Sequence, residues 1–187
     1  MKSIPIEQQI LIQPTPNHTQ FKDLLLKLIE ETPYEKRISN KESITKTDYE
    51  QSQTDYHNKE IQREWVRIFT LCIQNTLKEI LNTLQFEKAH FLSVWFQQYH
   101  TNDFHAFHHH PMSNYSGIYY LELSDNTYTQ MLINNKIIDI EVSEGDLVVF
   151  PSQLRHRCPQ VTTNNRRTII SFNFDTLDFI GSQIVAK

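Results

Sequence analysis

Residues 103–120, DFHAFHHHPMSNYSGIYY, decide the predicted fold of this 187-residue chain. Three consecutive histidines, His108 to His110, lie between two runs of strand-forming residues, FLSVWFQQY and SGIYYLEL. The histidines are therefore expected at or near a strand end. Side chains two apart on a strand point to the same face, so His108 and His110 can reach one metal ion while His109 faces away.

A metal ion needs further ligands, and the next histidine along the chain is His156, just after an apolar run. A fixed cation follows, because Arg167 opens the strand-like segment RTIISFNF. The order is His-x-His, then a distant His, then an Arg at a strand start. It fits a double-stranded β-helix (jelly roll, cupin-like), where ligands from two facing strands cover one side of an Fe(II) and leave the other side open.

At these residues the chain resembles the Fe(II)/2-oxoglutarate-dependent oxygenases, and most of all uncharacterised, prolyl-hydroxylase-like members carried by tailed bacteriophages and marine bacteria. The resemblance covers roughly residues 91–174. The motifs that carry it are Trp95 and Tyr99, His105-x-x-His108-x-His110-Pro111, SGIYYLEL, EGDLVVFPS with His156 following, and Arg167 leading into ISFNF. It implies a mainly β jelly-roll catalytic core with flanking α-helices.

The resemblance also implies a reaction. Fe(II) would bind to His108, His110 and His156, and 2-oxoglutarate would chelate it while its far carboxylate pairs with Arg167. With O₂, oxidative decarboxylation of 2-oxoglutarate would be coupled to oxidation, typically hydroxylation, of an unknown primary substrate. The predicted activity is that of a 2-oxoglutarate-dependent non-haem iron dioxygenase.

Three further residues are candidates for co-substrate binding. His105 stands where the prolyl-hydroxylase branch often has a tyrosine that hydrogen-bonds 2-oxoglutarate. Tyr99 and Tyr120 lie on neighbouring predicted strands and could help, although aromatic residues in a barrel more often pack in the core. Trp95 is interpreted as packing.

The chain departs from the family at His110, where most members have Asp or Glu. Three neutral imidazoles leave the full double charge of a divalent ion for the co-substrate and O₂ to balance, and such trios also bind Zn²⁺. An alternative ligand set therefore stays open. In that set the metal binds to His105, His108 and His156, and His110 is not a ligand.

Two other functions also stay open. A non-catalytic, metal-binding, cupin-like accessory protein would keep the fold but have no use for Arg167 at a co-substrate position. A Zn²⁺ hydrolase or lyase would need a general base beside the metal, and no Asp or Glu obviously supplies one.

Composition adds limits rather than chemistry. A single domain is expected over residues 1–187, and the net charge of −4 gives no overall basic footprint for nucleic acid. A local basic group, Arg155, Arg157, Arg166 and Arg167, could attract an anionic co-substrate.

Two unpaired cysteines, Cys72 in a helical pattern and Cys158 in a loop, together with the absence of a signal peptide or membrane span, predict a cytoplasmic protein. A phage-encoded protein in a host cytoplasm fits this composition.

Two regions are expected along the chain. Residues 1–85 should hold a leading strand at 4–13, buttressing helices at 17–33 and 61–84, and between them a long polar loop at 34–60, either a substrate lid or a solvated segment. Residues 86–187 should form the jelly roll. Its predicted strands are 88–99, 115–123, 128–133, 136–142, 146–150, 155–161 and 167–174, with a hairpin turn at Asn134-Asn135.

Overall fold

The computed structural model describes residues 9–33, 35–55, 63–123 and 127–179. The helices are α1 (His18–Glu30), α2 (Tyr49–Asp55) and α3 (Glu64–Thr83). The strands are β1 (Leu11–Pro14), β2 (Lys36–Ser39), β3 (Ser43–Thr47), β4 (Phe86–Tyr99), β5 (Phe104–His108), β6 (Tyr115–Glu122), β7 (Thr129–Ile133), β8 (Lys136–Ile140), β9 (Asp146–Pro151), β10 (His156–Cys158) and β11 (Arg167–Phe179).

The strands form two curled layers. The larger layer has the order β1-β9-β6-β11-β4, and the smaller one the order β5-β10-β7-β8. Strand β3 joins the layers, because it pairs with β4 at one end and with β5 at the other. This alternation of successive strands between two antiparallel layers is the predicted double-stranded β-helix.

The larger layer has an outer face covered by helices and an inner face that lines the barrel. One core cluster packs the apolar stripe of α3 and two residues of α1, Leu25 and Ile29, against outward residues such as Phe172. A second cluster, which includes Ile118 and Phe150, fills the space between the layers. The prediction that helices pack on the larger sheet is therefore confirmed, with α1 and α3 ending near the predicted positions.

The period-two alternation of β11 decides which side chains enter the barrel. Ile170, Phe172 and Phe174 belong to the outer cluster under the helices. Arg167 and Ile169 therefore point to the interior, as does Ser171. Gly117 on β6 accommodates the Phe172 ring, since a Cβ there would lie 2.1 Å from the ring's Cζ atom.

The predicted hairpin between β7 and β8 is confirmed. Asn134 and Asn135 have φ values of 50° and 61°, in the left-handed region that Asn tolerates better than most residues. Two consecutive residues of this kind form the tight turn whose twist matches that of paired strands.

The prediction of a long polar loop at 34–60 is wrong over residues 36–55. This segment forms a hairpin of β2 and β3 followed by α2. The alternating inward residues of β3, Ser43, Thr45 and Thr47, are small and hydroxylated rather than aliphatic, and they are buried. Thr45 and Thr47 donate hydrogen bonds to the backbone carbonyls of Gln98 and Phe96, which lets a polar strand lie inside the sheet. Residues 34 and 56–60 lie outside the described part.

Other boundaries differ by less. Strand β5 is not among the predicted strands, and β10 covers only three of the residues predicted at 155–161. Cys158 therefore lies on a strand rather than in a loop. The predicted strand at 4–13 is represented by β1, with residues 1–8 outside the described part. Both cysteines are free and buried, as expected for reduced thiols.

Candidate metal centre

Three histidines meet inside the barrel at one end. His108 is the last residue of β5 and lies directly opposite His156, the first residue of β10, in the antiparallel register. His110 lies two residues beyond the strand, where its backbone N–H donates to the Ser152 carbonyl at 2.9 Å. The candidate ligand atoms of the three side chains all lie within 4.8 Å of one another. His109 is exposed, as predicted.

Backbone contacts orient two of the three imidazoles. The Nδ1 atom of His108 lies 2.9 Å from the Ala106 carbonyl, and that of His156 lies 3.0 Å from the Leu154 carbonyl. A carbonyl can only accept, so Nδ1 carries the proton in both rings. Each ring therefore presents an unprotonated Nε2 atom, and such contacts also fix ring orientation in metal sites.

Burial keeps the imidazoles neutral. It lowers the pKa of His110 to about 4, with the neighbouring His108 as a smaller cause. Burial likewise lowers the pKa of His108 and that of His156 below the ordinary histidine value. At neutral pH all three rings thus offer lone pairs, as ligands of a divalent cation must. Imidazole nitrogen suits iron among other transition metals, so the donor set fits Fe(II).

His105 belongs to the site but not to this triad. Its ring stacks on His108, with centroids 4.0 Å apart and an interplanar angle of 14°. Its Nδ1 atom lies 3.1 Å from Nε2 of Gln97, and no ligand atom of His105 falls in the group of three that could share an ion. Burial lowers its pKa to about 3, so the ring is neutral. This geometry favours the ligand set with His110 over the set with His105.

Arg167 lies deep in the barrel, fully buried and without a carboxylate partner among the described residues. Its guanidinium carbon lies 5.2 Å from the ring centroid of Tyr99 and 5.5 Å from that of Tyr120. Nη1 donates to Cys158 Sγ at 3.2 Å and Nη2 to Thr129 Oγ1 at 2.9 Å. Nε is buried and finds no acceptor in the described part of the chain. A buried cation with a free N–H is suited to an anionic ligand, and the 2-oxoglutarate carboxylate fits it.

Thr129 is a site residue that the sequence analysis misses. Its Oγ1 atom accepts from Arg167 and also from the Tyr120 hydroxyl, which lies 2.7 Å away. Both lone pairs are then in use, and the described residues offer no acceptor for the Thr129 proton. Tyr120 thus supports Thr129 rather than facing the cavity, whereas Tyr99 lines it. A threonine in an alternating strand gives no sequence signal of this role.

The expected basic group does not form one patch. Of the four, only Arg167 is fully buried in the barrel. Arg166 pairs with Glu122 and Glu30, and the guanidinium groups of Arg155 and Arg157 lie beside the Phe107 ring. Because neighbouring strand residues face opposite sides, Arg167 is separated in space from Arg166.

Two connected cavities surround the triad. The inner one holds about 370 Å³ of unfilled space, part of it open to solvent, and is lined by the three histidines, Arg167 and Thr129. The outer one holds about 830 Å³ and is lined on one side by the β2–β3 hairpin. Trp95 borders both cavities, packs edge-on against Tyr49 and has its ring 5.6 Å from that of His110. Trp95 therefore lines the site as well as packing in the core.

The described residues that line the inner cavity include no Asp or Glu. A zinc hydrolase or lyase on this triad would need a general base there. A cupin-like protein without catalytic activity would also have no use for the buried cation of Arg167. Neither alternative is favoured by the geometry.

Comparisons with known proteins agree with this geometry. A family described as "Putative 2OG-Fe(II) oxygenase" matches the chain over residues 124–173. No curated protein matches the sequence. A Pseudomonas putida prolyl-4-hydroxylase is similar in structure, with a TM-score of 0.60 and 16% identity over 89% of this chain and 92% of that one.

Two other solved structures show the same fold. The viral collagen prolyl hydroxylase of Paramecium Bursaria Chlorella virus-1, in its 2OG complex, has a TM-score of 0.60 and 12% identity over 89% of this chain and 94% of that one. The α-ketoglutarate dependent epimerase SnoN has a TM-score of 0.68 and 9% identity over 95% of this chain and 83% of that one. The resemblance inferred from the sequence is thus confirmed: the chain has the fold of the 2OG-Fe(II) oxygenases and matches their sequence family over residues 124–173.

Proposed function

We propose that this protein is an Fe(II)- and 2-oxoglutarate-dependent dioxygenase that oxidises an organic substrate with O₂. The observation that carries the proposal is one cavity holding both a triad of neutral imidazoles and a buried arginine with a free N–H. The first group of residues suits a divalent metal, and the second suits the far carboxylate of a dicarboxylic acid.

The residues have distinct roles in this proposal. His108, His110 and His156 hold Fe(II), and the bound metal with 2-oxoglutarate supplies the oxidation by O₂. Arg167 pairs with the far carboxylate and donates a hydrogen bond to it from its free Nε–H. The Thr129 hydroxyl is a second donor. The Tyr99 and Tyr120 rings beside the guanidinium exclude water from this ion pair, which strengthens it.

The outer cavity is the proposed substrate entrance. It shares Trp95 and the His105 ring with the inner cavity, so a substrate there would contact the residues around the metal. The hairpin of β2 and β3 forms its wall.

Thr129→Val should weaken 2-oxoglutarate binding to the metal-loaded protein by at least about tenfold, because it removes the proposed donor to the carboxylate and also the acceptor that Arg167 Nη2 and the Tyr120 hydroxyl share, while keeping the side-chain shape. Fe(II) affinity should stay the same, since Thr129 does not contact the triad. Isothermal titration with each ligand measures both values. Thr129→Ser is the matched control and should restore 2-oxoglutarate affinity.

Turnover tests the proposed activity. The protein is reconstituted anaerobically with Fe(II) and 2-oxoglutarate, O₂ is admitted, and succinate is measured. Succinate should form slowly even without the primary substrate, and only when both Fe(II) and 2-oxoglutarate are present. Succinate no higher than that of a His108→Ala/His156→Ala control would argue against an oxygenase.

None of the described helices is long and apolar enough to cross a bilayer. The cytoplasmic location and the phage origin inferred from the sequence stay predictions. One structurally similar protein, the viral prolyl hydroxylase described above, comes from a virus.

A further inference from the structure

A hydrogen-bonded relay crosses the barrel beside the triad and ends on His105. Ser171 on β11 donates to Oε1 of Gln97 at 3.4 Å. Nε2 of Gln97, on β4, in turn lies 3.1 Å from Nδ1 of His105, on β5. Gln97 and Ser171 are buried, and all three side chains line the inner cavity.

The relay determines the protonation of His105. The amide oxygen of Gln97 accepts from the Ser171 hydroxyl, and the amide nitrogen faces the imidazole. An amide nitrogen can only donate, and Nδ1 of His105 must therefore accept. In a neutral imidazole the proton is then on Nε2.

This proton arrangement is the reverse of that in the two neighbouring rings. His108 and His156 carry the proton on Nδ1 and present an unprotonated Nε2. His105, stacked on His108, presents an N–H group instead. A nitrogen that carries a proton cannot bind a metal, but it can donate a hydrogen bond to a carboxylate or carbonyl oxygen.

We infer that Gln97 is a positioning residue that keeps His105 out of the metal's ligand set and makes it a hydrogen-bond donor to the oxygens of the bound 2-oxo acid. This role of His105 rests on the proposed function. The proton arrangement itself does not, since it follows from contacts within the protein.

The test substitutes Gln97→Met, which keeps the length and volume of the side chain but removes its donor. In metal-free protein labelled with ¹⁵N-histidine, long-range ¹H–¹⁵N correlations show which nitrogen of His105 is protonated, with His105→Phe to assign the signals. The wild type should show the proton on Nε2 alone, and Gln97→Met a mixture of both forms.

Binding measurements then test the consequence. Gln97→Met should weaken 2-oxoglutarate binding to the metal-loaded protein by about tenfold while Fe(II) affinity changes less than about twofold. His105→Phe should weaken it at least as much. Adding Gln97→Met to His105→Phe should cause no further loss, because Gln97 acts only through His105.

Gln98→Met is the matched control. Gln98 is the next residue on the same strand and equally buried, and its amide donates to Thr168 rather than to a histidine. It should alter neither the His105 signals nor co-substrate affinity. If Gln97→Met proves unstable, Ser171→Ala removes the hydroxyl that donates to the Gln97 amide and should give a smaller change of the same kind.

The outcomes separate the two claims. A wild-type His105 protonated on Nδ1, or unchanged His105 signals in Gln97→Met, would overturn the role of Gln97. A change in His105 signals with unaltered 2-oxoglutarate affinity would overturn the donor role of His105. A wild-type protein that fails to bind 2-oxoglutarate at all would contradict the proposed function and the donor role, but would leave the proton arrangement to be decided by the spectra.

Discussion

Arg167→Ala should weaken 2-oxoglutarate binding by about 2–5 kcal/mol, roughly thirtyfold to several thousandfold. The guanidinium is fully buried, and its Nε atom has no acceptor among the residues that the structure describes. Removing it leaves a bound carboxylate in an apolar site without a counter-charge. Fe(II) affinity should change little, because the three histidines do not contact this side chain. Titration calorimetry with each ligand separates the two effects.

Arg166→Ala is the control for this experiment. Arg166 precedes Arg167 in sequence but pairs with Glu122 and Glu30 at the protein surface. Ion pairs in such partly exposed positions contribute little to stability, and the Arg166 side chain does not line the inner cavity. A larger loss of 2-oxoglutarate affinity in Arg166→Ala than in Arg167→Ala would mean that the register of β11 is shifted by one residue.

His110→Ala should lower Fe(II) affinity by at least about a hundredfold, because it removes one of three protein ligands and leaves two. His110→Asp should bind Fe(II) at least as well as the wild type, since it restores the carboxylate that most relatives have and adds a negative charge beside the ion. The same variant should keep 2-oxoglutarate turnover.

His105→Ala decides between the two ligand sets. If His105 is a hydrogen-bond donor, Fe(II) affinity in this variant should stay within a few fold of the wild type. If instead the ion binds to His105, His108 and His156, then His110→Ala would be nearly silent and His105→Ala would abolish metal binding. Fe(II) affinities of the four proteins, measured anaerobically, distinguish the two patterns.

The triad and Arg167 can be predicted from the sequence because strand geometry constrains them strongly. A period of two predicts that Arg167 points away from Arg166. It also predicts one side for His108 and His110, and His110 keeps that side although it lies beyond the end of β5. The burial of Arg167 beside two tyrosines then follows from its place on an inward position of β11. Each of these features depends on the alternation of side chains along a single strand.

Other features depend on contacts between strands and leave no such pattern. The hairpin of β2 and β3 has only two aliphatic residues, Ile38 and Ile44, and the buried side of β3 is formed by hydroxyl residues, of which Thr45 and Thr47 donate to carbonyls on β4. Thr129 and Gln97 look like ordinary strand residues until the fold brings Arg167 and His105 to them. Sequence periodicity shows which face a residue occupies, but not which side chain meets it there.

Coupled binding of metal and co-substrate shows whether the triad and Arg167 bind one ligand together. 2-Oxoglutarate is titrated anaerobically into metal-free protein and into protein loaded with Fe(II), and the two dissociation constants are compared by calorimetry. The metal supplies coordination for one end of the acid while Arg167 holds the other, so Fe(II) should tighten 2-oxoglutarate binding by at least about tenfold. Equal affinity with and without Fe(II) would contradict the claim that the triad and Arg167 form a single site.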